Sequence, residues 1–431
     1  MNRQLAVLSF RQKLVDFSLN TLWRGRLARA SGGLVLAGIS GGVLGYGFQI
    51  AMGRLLSSAD YGRLNALMSL LMILAVPLGT VAMVITRRFA AYWASGDQLS
   101  LTALYWHIHR QVALFGVAGG LVLLVITPFI QSYIHTSSPE PVLWFIAVLF
   151  FSLFPIISHS LLQGIQNFRW LALVGLQLNL SKFLLPLLLV GYFGLGLNGS
   201  LAGLAATSAL SWGVAFLLVR RYLVNNARIA APLTTWRSSL PVLLANICFA
   251  AMTQLDMTLV NYYFPGELSG NYAAAAVLGK SVLYLPGGIV AALFPMVAEN
   301  QARGQSSTHL FITAVILTGL LSAVIAIFFY TLSDPLLALF FGNKYEYAPE
   351  VLRYFGFAML PMALVLVAEY FLIAKGRVFF AYLFMIAAPC QIAAIHFYHS
   401  NLIQVVAIVT GFGGSLAVVG YTMLWREYQR G

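Results

Sequence analysis

Residues 45–66 read GYGFQIAMGRLLSSADYGRLNA, and residues 254–274 read QLDMTLVNYYFPGELSGNYAA. Each stretch is the end of an apolar run, a short polar turn carrying one acid, then glycine and a fresh apolar run. An offset of 208 aligns Leu56 with Phe264, Gly62 with Gly270, Leu64 with Tyr272 and Ala66 with Ala274. One residue of slip later, Pro77 meets Pro286. Glycine and small residues are common in membrane helices, so one coincidence carries nothing. Turn, glycine and proline recurring in order read as two helical hairpins of one design. Half a chain apart, they imply an internal duplication with a site between the two halves. Pro77 and Pro286 are then expected to be paired helix bends near the interface of those halves.

Working outward, the 431 residues are 60% hydrophobic and 9% charged, a balance that makes lipid the solvent. At about 20 residues per span the chain holds roughly twelve helices. Alternating strand patterns are absent, which excludes a barrel. The expected fold is an all-α integral membrane protein, with about twelve transmembrane helices in two pseudo-symmetric six-helix lobes around a central cavity. The apolar runs place spans 1 to 6 at 31–53, 63–86, 111–134, 142–163, 169–193 and 196–219. Spans 7 to 12 fall at 238–264, 270–298, 308–333, 351–374, 377–398 and 401–425. The domains expected are a basic amphipathic segment (1–30), an N-terminal lobe (31–219), a cytoplasmic inter-lobe linker (220–237) and a C-terminal lobe (238–431).

The formal charge is +13. In a soluble protein that would raise nucleic acid as a partner, but here the bases sort by loop and no nucleic acid is expected. Connections from odd to even spans hold four bases: Arg54, Arg63, Lys344 and Arg353. The termini and the even-to-odd connections hold nineteen, among them Arg3, Arg11, Arg87, Arg88, Arg220, Arg221 and Arg303. Both termini are therefore expected in the cytoplasm. Residues 1–30 interleave six bases with leucines, the pattern of a helix lying on anionic inner-leaflet lipid rather than of a cleaved signal.

Four charged residues fall inside spans: Lys182, Asp256, Lys280 and Glu369. A charge at mid-membrane costs about 2.5–3.5 kcal/mol on insertion scales, so such groups face protein or water. Counted from the turn between spans 7 and 8, Asp256 lies roughly 12 Å deep and Lys280 roughly 16 Å. Those depths allow a pair, either a structural pin or a working site with Asp256 as an ion-coupling group and Lys280 as an anion clamp. Lys182 has no acid at its depth in its half and calls for an aqueous cavity or an anionic guest. Arg87 and Arg88 close span 2, as interfacial anchors or as a bidentate clamp for pyrophosphate at the mouth. Glu369 stands only six residues before Lys375 and is expected near the interface, snorkelling or paired.

No metal-ligand cluster, Walker loop or nucleophile elbow is present, so neither catalytic residues, nor a metal, nor a cofactor is expected. The stretch Phe48–Gly62, with Leu255-Asp256, Gly270-Asn-Tyr272-Ala and Leu285-Pro286, resembles the bacterial polysaccharide and oligosaccharide flippases of the multidrug/oligosaccharidyl-lipid/polysaccharide exporter superfamily. The resemblance implies two six-helix lobes and movement of an undecaprenyl-pyrophosphate-linked glycan from the inner to the outer leaflet. It implies the bacterial cytoplasmic (inner) membrane, with a glycan polymerase or assembly proteins as further partners. Lys182, Lys280, Arg87 and Arg88 are then the substrate-binding candidates. Two alternatives stand beside it: a multidrug or small-molecule antiporter of the same superfamily, and a non-transporting scaffold of an envelope complex. The loop bias gives a direct test. Single cysteines at Gly266 and Lys344 should react with impermeant maleimide from outside the cell, and labelling only from the inside would refute the topology.

Overall fold

The structure is a computed structural model that describes residues 26–224, 240–303, 305–375 and 379–430. Most of the basic segment 1–30 and of the linker 220–237 lies outside the described residues. The N-terminal half comprises α1 (Arg26–Leu55), α2 (Ser58–Ala94), α3 (Gln98–Val125), α4 (Thr127–Ile134), α5 (Glu140–Ser152), α6 (Pro155–Gly164), α7 (Phe168–Gly191) and α8 (Gly196–Val219). The C-terminal half comprises α9 (Leu240–Tyr263), α10 (Glu267–Gly279), α11 (Ser281–Tyr284), α12 (Gly287–Ala302), α13 (Thr308–Phe341), α14 (Ala348–Ala374), α15 (Phe379–Phe397) and α16 (Leu402–Arg430). Among the described residues, eleven candidate spans are long and apolar enough to cross a membrane, and α1 adds a further helix of 30 residues. Three expected spans are each divided: span 3 into α3 and α4, span 4 into α5 and α6, and span 8 into α10, α11 and α12.

Within the N-terminal half, α1 packs on α7, α7 on α8, and α8 on α5; within the C-terminal half, α13 packs on α14, α14 on α16, and α9 on α15. The two halves meet chiefly where α2 crosses α9 and α10. The duplicated glycines make that crossing. A Cβ on Gly62 would lie 2.8 Å from the Gly270 nitrogen, and one on Gly270 would lie 2.6 Å from the Ser58 carbonyl carbon. Only residues without a side chain let two backbones come this close. Two turns further in, the Ser69 and Thr258 hydroxyls share a hydrogen bond of 2.6 Å, and Thr258 also donates to the Ala66 carbonyl at 3.2 Å.

This crossing lies toward the face that carries the α1–α2, α9–α10 and α13–α14 turns, here called the distal face; the opposite face is the terminal face. The four bases of the distal connections are all engaged. Arg54 donates to the Leu339 and Phe340 carbonyls at the end of α13, and Lys344 donates back to the Arg54 and Leu56 carbonyls at the end of α1. Each cation thus meets the negative end of a helix in the opposite half. Partial burial lowers the Lys344 amine from the ordinary lysine value. Arg63 pairs with Asp60 at 2.9 Å, and Arg353 with Asp334 at 2.7 Å. Tyr61, Phe341 and Tyr345 fill the space beneath with edge-on and tilted ring contacts of 5.8–5.9 Å. Toward the terminal face the same side of α2 is uncovered: Met72 is 50% exposed and Met83 75%. The halves are closed at the distal face and parted at the terminal face.

The two prolines differ in effect. Pro77 sits inside an unbroken α2, whereas the helix stops before Pro286 and resumes at Gly287. Pro286 removes the donor for the Val282 carbonyl, which instead accepts from Ser322 Oγ at 3.0 Å. The expectation of matched bends holds on the C-terminal side alone. The glycine crossing yields a prediction. Gly270→Ala should force α10 off α2, at a cost of about 1–3 kcal/mol for overpacking. A reporter cysteine at Met68, reactive only from the terminal face in the parent, should then react from the distal face as well.

Candidate functional site

Below the crossing lies a cavity of about 260 Å³ whose wall is shared by both halves. The N-terminal half contributes Tyr46 and Gln49 from α1, Asn65, Ser69 and Met72 from α2, and Lys182 from α7. The C-terminal half contributes Gln254 and Met257 from α9, Val277 from α10, Lys280 and Tyr284. Its room comes from glycine. Gly42 and Gly45 of α1 line it, and a Cβ built on either meets nothing within 4 Å. A larger groove of about 470 Å³, among α2, α3 and α5–α6, is lined by residues such as Leu71, Leu74, Gly119 and Phe150 and holds no ionisable group. The charged cavity is therefore the candidate site.

Lys280 occupies the break between α10 and α11. α10 approaches α14 so closely there that a Cβ on Gly279 would lie 2.5 Å from the Phe355 ring. The break turns Lys280 toward α9, where its ammonium pairs with Asp256 Oδ1 at 3.1 Å and donates to Gln254 Oε1 at 3.2 Å. The other carboxylate oxygen of Asp256 accepts from the Tyr272 hydroxyl at 2.8 Å, and Gln254 donates to the Tyr284 hydroxyl at 2.5 Å. Asp256 is 1% exposed and stands behind Lys280, with a partner on each oxygen. The pairing expected from matched depth is present. Asp256 does not line the cavity; Lys280 does.

Lys182 faces the same cavity from the other half. Its ammonium lies 5.7 Å from the centre of the Phe48 ring and makes no ion pair among the described residues. Pro186, one turn later, removes the helical donor for Lys182's own carbonyl. Two lysines thus meet in one cavity against one carboxylate that is already engaged. The wall carries net positive charge, which favours an anionic guest and disfavours a cationic one.

The remaining sequence candidates fall elsewhere. Arg87 is exposed near the terminal-face end of α2, and Arg88 beside it is half-buried. Arg87 lies 18 residues, or about five turns, from Ser69 and so on the same side of α2, roughly 27 Å away. Neither arginine lines the cavity. Glu369 overturns its expectation: it is 1% exposed, and neither carboxyl oxygen has a hydrogen-bond partner among the described residues. Sequence reasoning passed over Gln49, Asn65, Gln254 and Tyr284. Their signal was polarity inside apolar runs, and three of the four stand in the two duplicated stretches.

The family described as polysaccharide biosynthesis protein matches residues 51–350. The chain belongs to that family. No curated protein matches it. Among solved structures it is similar to an inward-facing multidrug resistance MATE family transporter of the MOP superfamily. That pair is 13% identical over 90% of this chain and 94% of the other, with a TM-score of 0.71. The lipid II flippase MurJ in an inward closed conformation gives a TM-score of 0.67 at 14% identity, over 91% of this chain and 87% of that one. An outward-facing MATE transporter gives 0.62 at 14% identity, over 95% and 97%. At these identities the likeness is one of fold. The fold is that of these MATE and MurJ structures, with two lobes around a central cavity.

The buried pair generates a stability prediction. Asp256→Ala leaves the Lys280 ammonium uncompensated and should cost about 3–5 kcal/mol, as should Lys280→Met alone. The double variant should recover most of that loss, read as thermal unfolding in detergent. Equal and additive losses would refute the coupling.

Proposed function

We propose that this protein is a flippase for a lipid-linked glycan, an undecaprenyl-pyrophosphate oligosaccharide or polysaccharide precursor. It moves that lipid from the inner to the outer leaflet by alternating access. The observation that carries the reading is the meeting of Lys182 and Lys280, one from each half, on a single cavity wall. A pyrophosphate is the part of such a lipid that two ammonium groups recognise. Family membership and the MurJ-like fold support the same reading. Asp256 positions Lys280, and Arg87 and Arg88 receive the anion at the mouth of the cavity. The membrane is the bacterial inner membrane and the termini are cytoplasmic, with the nineteen-to-four loop bias as support. On that orientation the described conformation faces inward.

A small-molecule antiporter is the second reading, favoured by the MATE-like fold. The two lysines argue against cationic drugs and leave anionic ones. A glycan-bearing substrate also needs room, and the uncovered lower half of α2 gives the cavity a wide mouth on the terminal side.

Lys182 tests the reading. Lys182→Gln keeps length and polarity, so insertion and abundance should hold while movement of a fluorescent undecaprenyl pyrophosphate in proteoliposomes falls at least tenfold. Lys182→Arg should retain more of the rate than Gln, because charge is what the phosphate requires. A Lys182→Ala protein that moves the probe at the parent rate would overturn the assignment.

A further inference from the structure

The groove among α2, α3 and α5–α6 lies outside the charged cavity and encloses more space, about 470 Å³ against about 260 Å³. Its walls include Leu74 and Leu78 of α2, Phe115 and Leu123 of α3, and Leu149 and Phe150 of α5. Ser152 is the one polar side chain among its lining residues, and the hydroxyl donates to the Leu149 carbonyl at 2.8 Å. No lining side chain is left with a hydrogen bond to offer, so the guest that fits is hydrocarbon. Along α2 the lining runs from Leu71 to Gly79, about 12 Å, the shape of a slot for a stretch of chain.

The space is set by how α3 meets its neighbours. A Cβ on Gly116 would lie 3.1 Å from the Phe150 ring, and one on Gly120 would lie 3.8 Å from Ile146, so α3 touches α5 through these positions. Gly119 beside them also lines the groove, and a Cβ built there meets nothing within 4 Å. Across the groove the same holds for Gly79 of α2. A leucine at either place would occupy the volume that the two glycines leave open.

Groove and cavity meet along α2. Met68 and Met72 line the cavity, and Ala75 and Gly79 line the groove. These four stand at i, i+4, i+7 and i+11, on one side of a helix that runs unbroken through all of them. Asn65 and Ser69, the polar lining residues of α2, lie toward the distal end. Met72, the cavity residue of α2 nearest the terminal face, is 50% exposed. From the cavity toward the terminal face this side of α2 therefore turns from polar to apolar and leads from one space into the other. An amphiphile with an anionic head and a hydrocarbon chain satisfies both spaces at once: the lysines hold the head, and the groove removes the chain from contact with the polar cavity.

We propose that this groove binds the isoprenoid chain of the lipid whose pyrophosphate Lys182 and Lys280 hold. The chain leaves the cavity over Met72 and lies along Ala75 and Gly79, between α2, α3 and α5. The assignment rests on the flippase reading above and adds to it the place of the chain, within the N-terminal half.

Two measurements test this on the full chain in liposomes. Undecaprenyl pyrophosphate carrying a diazirine in the isoprene units next to the pyrophosphate should, on irradiation, label groove residues of α2, α3 and α5, located by mass spectrometry. Unmodified undecaprenyl pyrophosphate should suppress that label at least tenfold, and the same amount of phosphatidylglycerol should not. Label confined to other helices, or equal suppression by phosphatidylglycerol, would mark the groove as ordinary bilayer-facing surface and overturn the proposal. In the second, Gly119→Leu should raise the Kd for undecaprenyl pyrophosphate at least tenfold and leave that for inorganic pyrophosphate, which has no chain, within twofold. Unchanged affinity for the lipid, or an equal loss for both ligands, would also overturn the proposal and leave the flippase reading standing. A parent chain that binds no pyrophosphate would sink the flippase reading, and displacement of the photolabel would then decide the groove by itself.

Discussion

Two backbones in contact without side chains between them set the architecture. Gly62 and Gly270 bring α2 and α10 together at a distance no Cβ allows, and everything at the distal face follows from that approach. Met52, Leu56, Tyr61, Tyr272 and Phe341 are buried beside it, and Arg54 and Lys344 reach across to helix ends of the opposite half. At the crossing itself the contact rests on close backbone packing and the Ser69–Thr258 hydrogen bond, with the Tyr61, Phe341 and Tyr345 rings packed across the halves beside it. It can part without leaving a deep hole on either helix.

The duplicated glycines were legible as equivalents before their meeting was. An offset of 208 pairs Gly62 with Gly270 in sequence. Two halves related by a pseudo-two-fold axis place equivalent residues near each other only where the axis passes between them. On the reading of an internal duplication, such an axis would pass through this crossing. The charged cavity was legible for a different reason. Lys182, Asp256 and Lys280 are too costly in lipid to be incidental, and antiparallel counting from a turn fixes depth along a helix well. It does not fix rotation about the helix axis, which is why Asp256 was expected in the site and stands behind it.

Other features were hidden by what a one-dimensional reading omits. Glu369 was placed near the surface because Lys375 follows six residues later, on the assumption that the lysine marks the membrane boundary. The lysine lies over Phe371, and the acid itself is 1% exposed among the packed helices. Burial by neighbouring helices has no signature in local spacing. The divided helices were hidden likewise. Pro77 and Pro286 look alike in sequence, yet only Pro286 is followed by two glycines and faced by a serine that takes up the freed carbonyl. Proline creates the option of a break, and its surroundings decide whether the chain takes it.

The broken helix α10–α11–α12 joins the parts that matter. Gly270, near its start, makes the distal closure; Lys280, at its first break, forms part of the cavity wall; and α12, beyond Pro286, packs on α14 at Val367 and Phe371. A rigid 36-residue helix carrying all three would move them together or not at all. Division at Lys280 and at Pro286 lets each segment answer to its own contacts while the connecting backbone passes displacement along. On the proposed function, an anion drawing the Lys280 ammonium away from Asp256 would remove a constraint at the first break, next to the segment that holds the halves shut. Transport by alternating access requires that kind of connection between site and closure, and a chain of this design supplies it along one stretch of backbone.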